Sequence, residues 1–378
     1  MKNNRISRRS ALKGIAAGGV SIALPSWAQN DNRIVLGQSA AFTGPASQLG
    51  IQMNRGAKIY FDQLNAAGGV NGRPIELRTL DDGYEPDRCK ANTERFIKED
   101  VFALFGYVGT PTSLAALPLV NEAKVPFLAP FTGAEALRDP FSRYVFHVRA
   151  SYFDETALIV KQLTSLGLKK IAVFYQNDSY GQAGLDGVLR ALKPLNLEPA
   201  GLGTVERNSV DVSNAVKAIV PKMPDAVVQI SAYKSCAAFI REARKAGYGG
   251  TFYNVSFVGT QALADELGKD GLGVVISQVM PFPYSTATAI TREYLEAVRR
   301  AGPDAQPNYS SMEGYVAAKV FAEGLRRAPK MTADGLIAGL ESINMSFGGF
   351  NVSFGPRKHT GSNFVELSML TGDGKVRR

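Results

Sequence analysis

Histidine is nearly absent from this 378-residue sequence, which has two, His147 and His359. Cysteine is equally scarce, with Cys89 and Cys236, and there is one tryptophan. So few histidines leave little for a metal centre or a histidine-based nucleophilic triad, and neither stands in a recognisable motif. Both read as structural or surface side chains. No His-Glu-x-x-His, P-loop or Gly-x-Ser-x-Gly elbow is present. Gly201-Leu202-Gly203 lacks the third glycine of a dinucleotide loop, so no cofactor is expected. The two cysteines have no metal-ligand spacing and fall in different halves of the fold expected below, so buried free thiols are the reading. No basic stripe interleaved with aromatics occurs, which sets nucleic acid aside as a partner. No segment after residue 28 reaches transmembrane length. These shortages argue against most enzyme classes, although a carboxylate-based hydrolase would leave little trace.

The sequence does have a sizeable apolar fraction, 45% against 20% charged, enough for a large core and for two domains. The formal net charge is +9, but Lys2, Arg5, Arg8, Arg9 and Lys13 precede the first acid. Without these five, 38 basic residues face 34 acidic ones, a net charge of +4. Basicity is thus partly a feature of the N-terminus. There a basic stretch leads through Arg8-Arg9-Ser10-Ala11-Leu12-Lys13 into a short apolar run at 14–24 and a small-x-small site, Ser26-Trp27-Ala28. This is the pattern of a signal peptide, residues 1–28, cleaved near Ala28. Its paired arginines are twin-arginine-like. Export follows, to an expected periplasmic location.

Strand and helix patterns then alternate. Residues 33–38, 75–80, 101–107 and 126–129 read as strands. Between them, helices are expected over the segment of Ala57, Tyr60, Phe61 and Leu64, over 86–98 and over 112–123. A second series expects strands at 170–175, 201–205, 226–230 and 273–278, with helices at 155–166, 181–192, 212–220 and 235–246. Alternation of this kind produces parallel, doubly wound sheets. Three helical stretches at 288–301, 311–327 and 332–341 then cover the sheets, and strands at 350–354 and 364–370 finish the chain. The expected fold class is α/β, with two similar lobes.

Ligands of open parallel sheets bind beyond the carboxyl ends of the strands. After residue 107 comes Gly109-Thr110-Pro111-Thr112-Ser113, with Thr110 suited to a helix N-cap and Pro111 to the first turn. Peptide N–H groups and hydroxyls at such an end hold a carboxylate. The next strand ends in Phe131-Thr132-Gly133, facing the same cleft. The second lobe offers Asp178-Ser179-Tyr180 and Ser231-Ala232-Tyr233 at comparable ends. Tyrosine suits a cleft wall, with a broad apolar face and one hydroxyl.

Phe42-Thr43-Gly44-Pro45, the run Asn65 to Pro74, Asp81-Asp82-Gly83, Tyr180-Gly181 and the turns at Thr110 and 131–133 together resemble type I periplasmic binding proteins of the leucine/isoleucine/valine-binding family. The resemblance spans the chain after the signal. It implies two doubly wound parallel-sheet lobes joined by a three-strand hinge, one lobe at 30–150 and 283–346, the other at 151–282 and 347–378. It implies a small amino acid or an aromatic or aliphatic carboxylate bound between the lobes. Delivery would be to ABC transporter permease subunits in the inner membrane, with no catalysis; a periplasmic sensor or an exported hydrolase are the alternatives. Thr110, Thr112, Phe131, Thr132 and Gly133 match the carboxylate side, and Tyr180 and Tyr233 the opposing lobe. Two departures stand out. Ser256 occupies the position where amino-acid binders carry an acid for the ligand ammonium, so either Asp178 or another acid substitutes, or the ligand lacks that group. Tyr84 and Gly109 occupy the positions of a first-lobe disulfide, which frees Tyr84 to line the cleft.

Overall fold

The structure, a computed structural model, describes residues 32–378. The twin-arginine-like segment and its cleavage site lie outside the described residues. From Arg33 onward the chain forms one compact unit. A five-stranded parallel sheet contains β1 (Ile34–Ala40), β2 (Ile75–Asp81), β3 (Ala103–Phe105), β4 (Phe127–Leu128) and β5 (Val145–Phe146), in the order β2-β1-β3-β4-β5. The helices α1 (Ser47–Ala66), α2 (Pro86–Lys98) and α3 (Thr110–Ala123) connect them. β3 is shorter than its apolar run predicts: Gly106, at φ +63°, breaks the regular strand, and pairing with the next strand resumes at the Val108–Phe131 bridge. Its three residues are wholly buried, as a strand covered on both faces requires.

The second sheet follows the same rule. It takes in α4 (Tyr152–Ser165), β6 (Ile171–Gln176), α5 (Ser179–Leu192), β7 (Gly201–Val205), α6 (Ser213–Ile219), β8 (Ala226–Ile230), α7 (Tyr233–Lys245), β9 (Thr251–Asn254), α8 (Thr260–Leu267) and β10 (Val275–Gln278). Strands β10-β9-β8-β6-β7 run parallel. The chain then returns for α9 (Ala289–Arg300), α10 (Tyr309–Arg327) and α11 (Ala333–Glu341), and for a hairpin of β11 (Asn344–Ser346) and β12 (Asn351–Ser353). Finally β13 (Glu366–Leu370) and β14 (Val376–Arg377) add an antiparallel edge beside β10.

α10 lies on α1, and two glycines set how closely. A Cβ on Gly56 would meet the Ser311 carbonyl oxygen at 1.8 Å, and one on Gly314 the Met53 oxygen at 2.1 Å. The late helices therefore cover the first sheet. The backbone after β12 stays there too: His147 N–H donates to the His359 oxygen at 2.8 Å, and Gly361 N–H to the His147 oxygen at 2.8 Å. We accordingly place the third passage between sheets after Gly361, and not at the expected residue 347. The other passages follow β5 and β10.

Both histidines belong to this region. The His359 ring stacks on Phe146 at 3.6 Å and reaches the Val145 oxygen and Glu341, each at 3.1 Å. His147 Nε2 lies 3.1 Å from the Leu137 oxygen. Both are buried and hold the crossing together, so of the structural and surface readings the structural one holds for each. Cys89 and Cys236 are buried and unpaired, and burial pushes both thiols up.

Candidate functional site

The loops at the carboxyl ends of the strands are built around Asp81, the last residue of β2. Its Oδ1 accepts the N–H groups of Phe42 (2.8 Å), Thr43 (3.1 Å) and Gly83 (3.0 Å), and its Oδ2 accepts the Thr43 hydroxyl (2.6 Å). Burial opposes ionisation, yet these bonds outweigh it and bring the carboxyl to about 2. The Phe42-to-Pro45 and Asp81-to-Gly83 motifs are thus one structural unit that aims the next residue, Tyr84, inward.

Tyr84 is fully buried with φ +64°. Its ring lies against Gly109, where an added Cβ would sit 2.2 Å from Cε2. The two positions read as a lost disulfide are therefore adjacent, with a ring filling the space. The Tyr84 hydroxyl accepts from Gln176 Nε2 at the end of β6, 3.2 Å away, so it reaches across to the second sheet.

The turns after β3 and β4 run side by side. Phe131 N–H donates to the Tyr107 oxygen (2.7 Å) and Gly109 N–H to the Phe131 oxygen (3.2 Å). This brings the Thr110 and Thr132 hydroxyls to 2.6 Å from each other, and Thr132 to 3.3 Å from the Tyr152 hydroxyl. Gly133 is required here, since a Cβ would meet the Tyr152 backbone nitrogen at 2.7 Å. Gly109, at φ +103°, is the N-cap of α3, and Thr110 is its first helical residue without a side-chain cap. The expectation that Thr110 caps the helix is corrected, because only glycine adopts the backbone needed one position earlier. Thr112 is buried but turned back: its hydroxyl donates to the Val108 oxygen at 2.5 Å and approaches the Gly109 oxygen at 3.0 Å. The neighbouring Ser113 hydroxyl is buried with no partner.

From the second sheet, Tyr180 and Ser256 join these residues. The Tyr180 hydroxyl is buried and unpartnered. Its ring stands 4.5 Å from Phe257 and 5.5 Å from Tyr152. Phe257 also approaches Tyr84 at 5.9 Å and Phe131 at 5.7 Å, so rings from both sheets meet on it. Tyr233 is buried at the start of α7, but its ring makes none of these contacts. Asp178 caps α5 through the Tyr180 and Gly181 amides and also holds Gln176 and Arg207. It has no oxygen left for a ligand ammonium. Glu135 opens a half-exposed single turn in which Arg138 N–H donates to its backbone oxygen at 2.7 Å.

Sequence reasoning missed a buried charged cluster beside these residues. Arg149, 1% exposed, follows β5 and places its guanidinium 5.0 Å from the Phe131 ring centre. Nη2 donates to the Ser256 hydroxyl and lies 3.3 Å from Glu155; Nη1 lies 3.5 Å from Glu313. Glu155 is saturated: it accepts Ser256 N–H (2.7 Å), the Ser256 hydroxyl (2.9 Å) and the Ser277 hydroxyl (2.6 Å). Burial holds the Glu313 carboxyl up, to about 7, against the lowering pull of Arg149. The Nε and Nη1 groups of Arg149 have no hydrogen-bond partner. The available signal was Glu155, an acid on the buried face of α4 among Tyr152, Thr156 and Ile159.

Two α/β sheets, the first parallel and the second parallel but for its β13–β14 edge, linked by three passages and facing each other across their strand ends, define a two-lobed type I binding-protein fold. The chain belongs to the periplasmic binding protein family, whose model matches residues 33–374. A Leu/Ile/Val-binding protein homolog 7 from Brucella suis biovar 1 (strain 1330) is 26% identical over 387 residues, covering 96% of this chain and 95% of the relative. The structure of a possible leucine/isoleucine/valine-binding protein from Rhodopirellula baltica SH 1 matches with TM-score 0.88 and 33% identity, covering 92% and 96% of the two chains. A substrate-binding periplasmic protein from Ralstonia solanacearum matches at TM-score 0.86 and 31% identity, over 91% and 99%.

Proposed function

We propose that this chain is an exported, periplasmic solute-binding protein of an ABC-type importer, which closes two lobes over a small carboxylate-bearing solute and carries it to permease subunits. The reading rests on one observation: among the described residues, polar side-chain atoms buried without a hydrogen-bond partner occur on elements of both sheets, at the strand-end segments described above. They include the Ser113 hydroxyl in α3, the Tyr180 hydroxyl in α5, and Nε and Nη1 of Arg149 after β5. Buried polar atoms normally have partners, so these groups favour a polar guest. The α3 amino terminus and the Thr110–Thr132 pair supply the carboxylate side; Tyr84, Phe131, Tyr180, Ser256 and Phe257 form the walls. The names of the relatives, with their leucine, isoleucine and valine, support an amino acid or an organic acid of similar size. The role so described is binding and release, with no bond made or broken in the solute.

Native mass spectrometry of protein purified from its own periplasm tests this reading. A retained small acid, with at least tenfold weaker binding in Thr110→Ala, is the expected result. Indifference of the scattering radius to every amino and organic acid tried would refute it.

A further inference from the structure

We propose that the solute is an organic acid without an α-ammonium group, selected by Arg149, which itself supplies the cation at the centre of the site. The proposal rests on the inter-lobe binding reading above. Three facts of geometry carry it. First, Arg149 is buried at the junction of the two sheets and over the Phe131 ring, where a solute held by the Thr110 and Thr132 turns would meet it. Second, its Nε–H and Nη1–H have no hydrogen-bond acceptor, although a guanidinium has five donors to satisfy. The Nη1–Glu313 approach of 3.5 Å is an ion pair without a formed hydrogen bond. Unmet buried donors select an acceptor such as a carboxylate, keto or hydroxyl oxygen.

Third, the acids nearby already face other donors. Glu155 takes three donors from Ser256 and Ser277 besides Arg149. Asp178 is used by the α5 amides, Gln176 and Arg207. Glu313 is buried and already faces Arg149 Nη1 at 3.5 Å. Arg138 adds a second positive charge, donating to the Arg149 carbonyl, and is itself balanced by Glu135 and Asp154. An ammonium placed here would be desolvated beside a guanidinium that already competes for the same carboxylates.

The test is competitive retention, read by native mass spectrometry, of phenylpyruvate against phenylalanine and of α-ketoisocaproate against leucine. Wild-type protein should retain a keto acid at least tenfold over its amino counterpart. Arg149→Gln should lose that preference, and Arg149→Lys, which keeps the charge, should preserve part of it. The ratio is read only on folded, retained complexes, so a loss of yield does not mimic the result. Equal or preferred retention of the amino acid overturns the inference and leaves the binding reading standing. An Arg149→Gln protein that keeps the preference also overturns it. Retention of neither member of both pairs overturns the inference and the binding reading together.

Discussion

Closure of the two lobes should be measurably weakened by removing one acid at the rim of the cleft, Glu85. Arg207, in the turn after β7, reaches across to Glu85 at 3.2 Å while also holding Asp178 of its own side at 3.3 Å. Asn208 Nδ2 donates to Glu85 Oε1 at 2.7 Å and to the Gly83 oxygen at 3.1 Å. The Arg207–Asp178 pair is internal to one lobe and cancels between open and closed forms. What is lost on opening is the Glu85 pair and the Asn208 bonds. The Arg207 and Glu85 side chains are 25% and 44% exposed, so solvent screens the pair and it contributes about 0.5 kcal/mol. The half-buried Asn208 bond to the same carboxylate adds about 1 kcal/mol. Glu85→Ala should therefore shift the closed-to-open ratio by roughly tenfold. Labels on cysteines introduced at the exposed positions Glu94 and Lys217, one per lobe, report the distance, and the buried native thiols stay unlabelled. Combining Glu85→Ala with Arg207→Ala should give less than the sum of the single effects, and added salt should shrink the wild-type advantage. Identical distance distributions in wild type and Glu85→Ala would refute the reasoning.

Three further outcomes are expected. The Glu313 carboxyl is raised from 4.5 to about 7, so the folded state binds a proton the unfolded state has released; stability should fall as pH rises from about 4.5 to 7 and level off above. The component amounts to at most about 3 kcal/mol, and urea titrations across that range should show it missing in Glu313→Gln. Gly56→Ala forces a methyl into the Ser311 backbone where α1 meets α10, and should lower the unfolding free energy by about 1–3 kcal/mol; an unchanged urea midpoint would refute the close crossing. Gly109→Ala pushes against the Tyr84 ring at a backbone angle of +103°, so combining it with Tyr84→Ala should destabilise by less than the sum of the two, by calorimetry.

Most of the fold was legible because long apolar periodicities and strand-helix alternation leave a local signature. α2, β7 and β8 occur at the residues the pattern predicts. β9 and α8 escaped, since Thr251–Asn254 shows no alternation and α8 has eight residues. The crossing near Gly361 escaped because backbone bonds to His147, more than 200 residues away, decide it. Half of the candidate site was also legible: the strand-end rule selects Thr110, Phe131, Thr132 and Tyr180 from chain position alone. Arg149, Glu155, Ser277 and Glu313 follow no such rule. They come from a crossing strand, two helices and the second sheet, and become a cluster only when all four elements pack together.

That cluster also separates what holds the molecule together from what it does. A buried ionic group is weak evidence for stability, since well-packed apolar side chains of similar volume are often as stable or more so, whereas removing one partner strands a charge at about 3–5 kcal/mol. Glu155→Leu alone should therefore be strongly destabilising, because Arg149 loses its closest carboxylate and the Ser256 and Ser277 donors lose their acceptor. Replacing Arg149, Glu155 and Glu313 together by Leu or Met should recover most of that loss in urea titrations, while solute retention disappears. If the triple variant proves less stable than Glu155→Leu, the network is structural in its own right, and the case that Arg149 is kept for recognition fails with it.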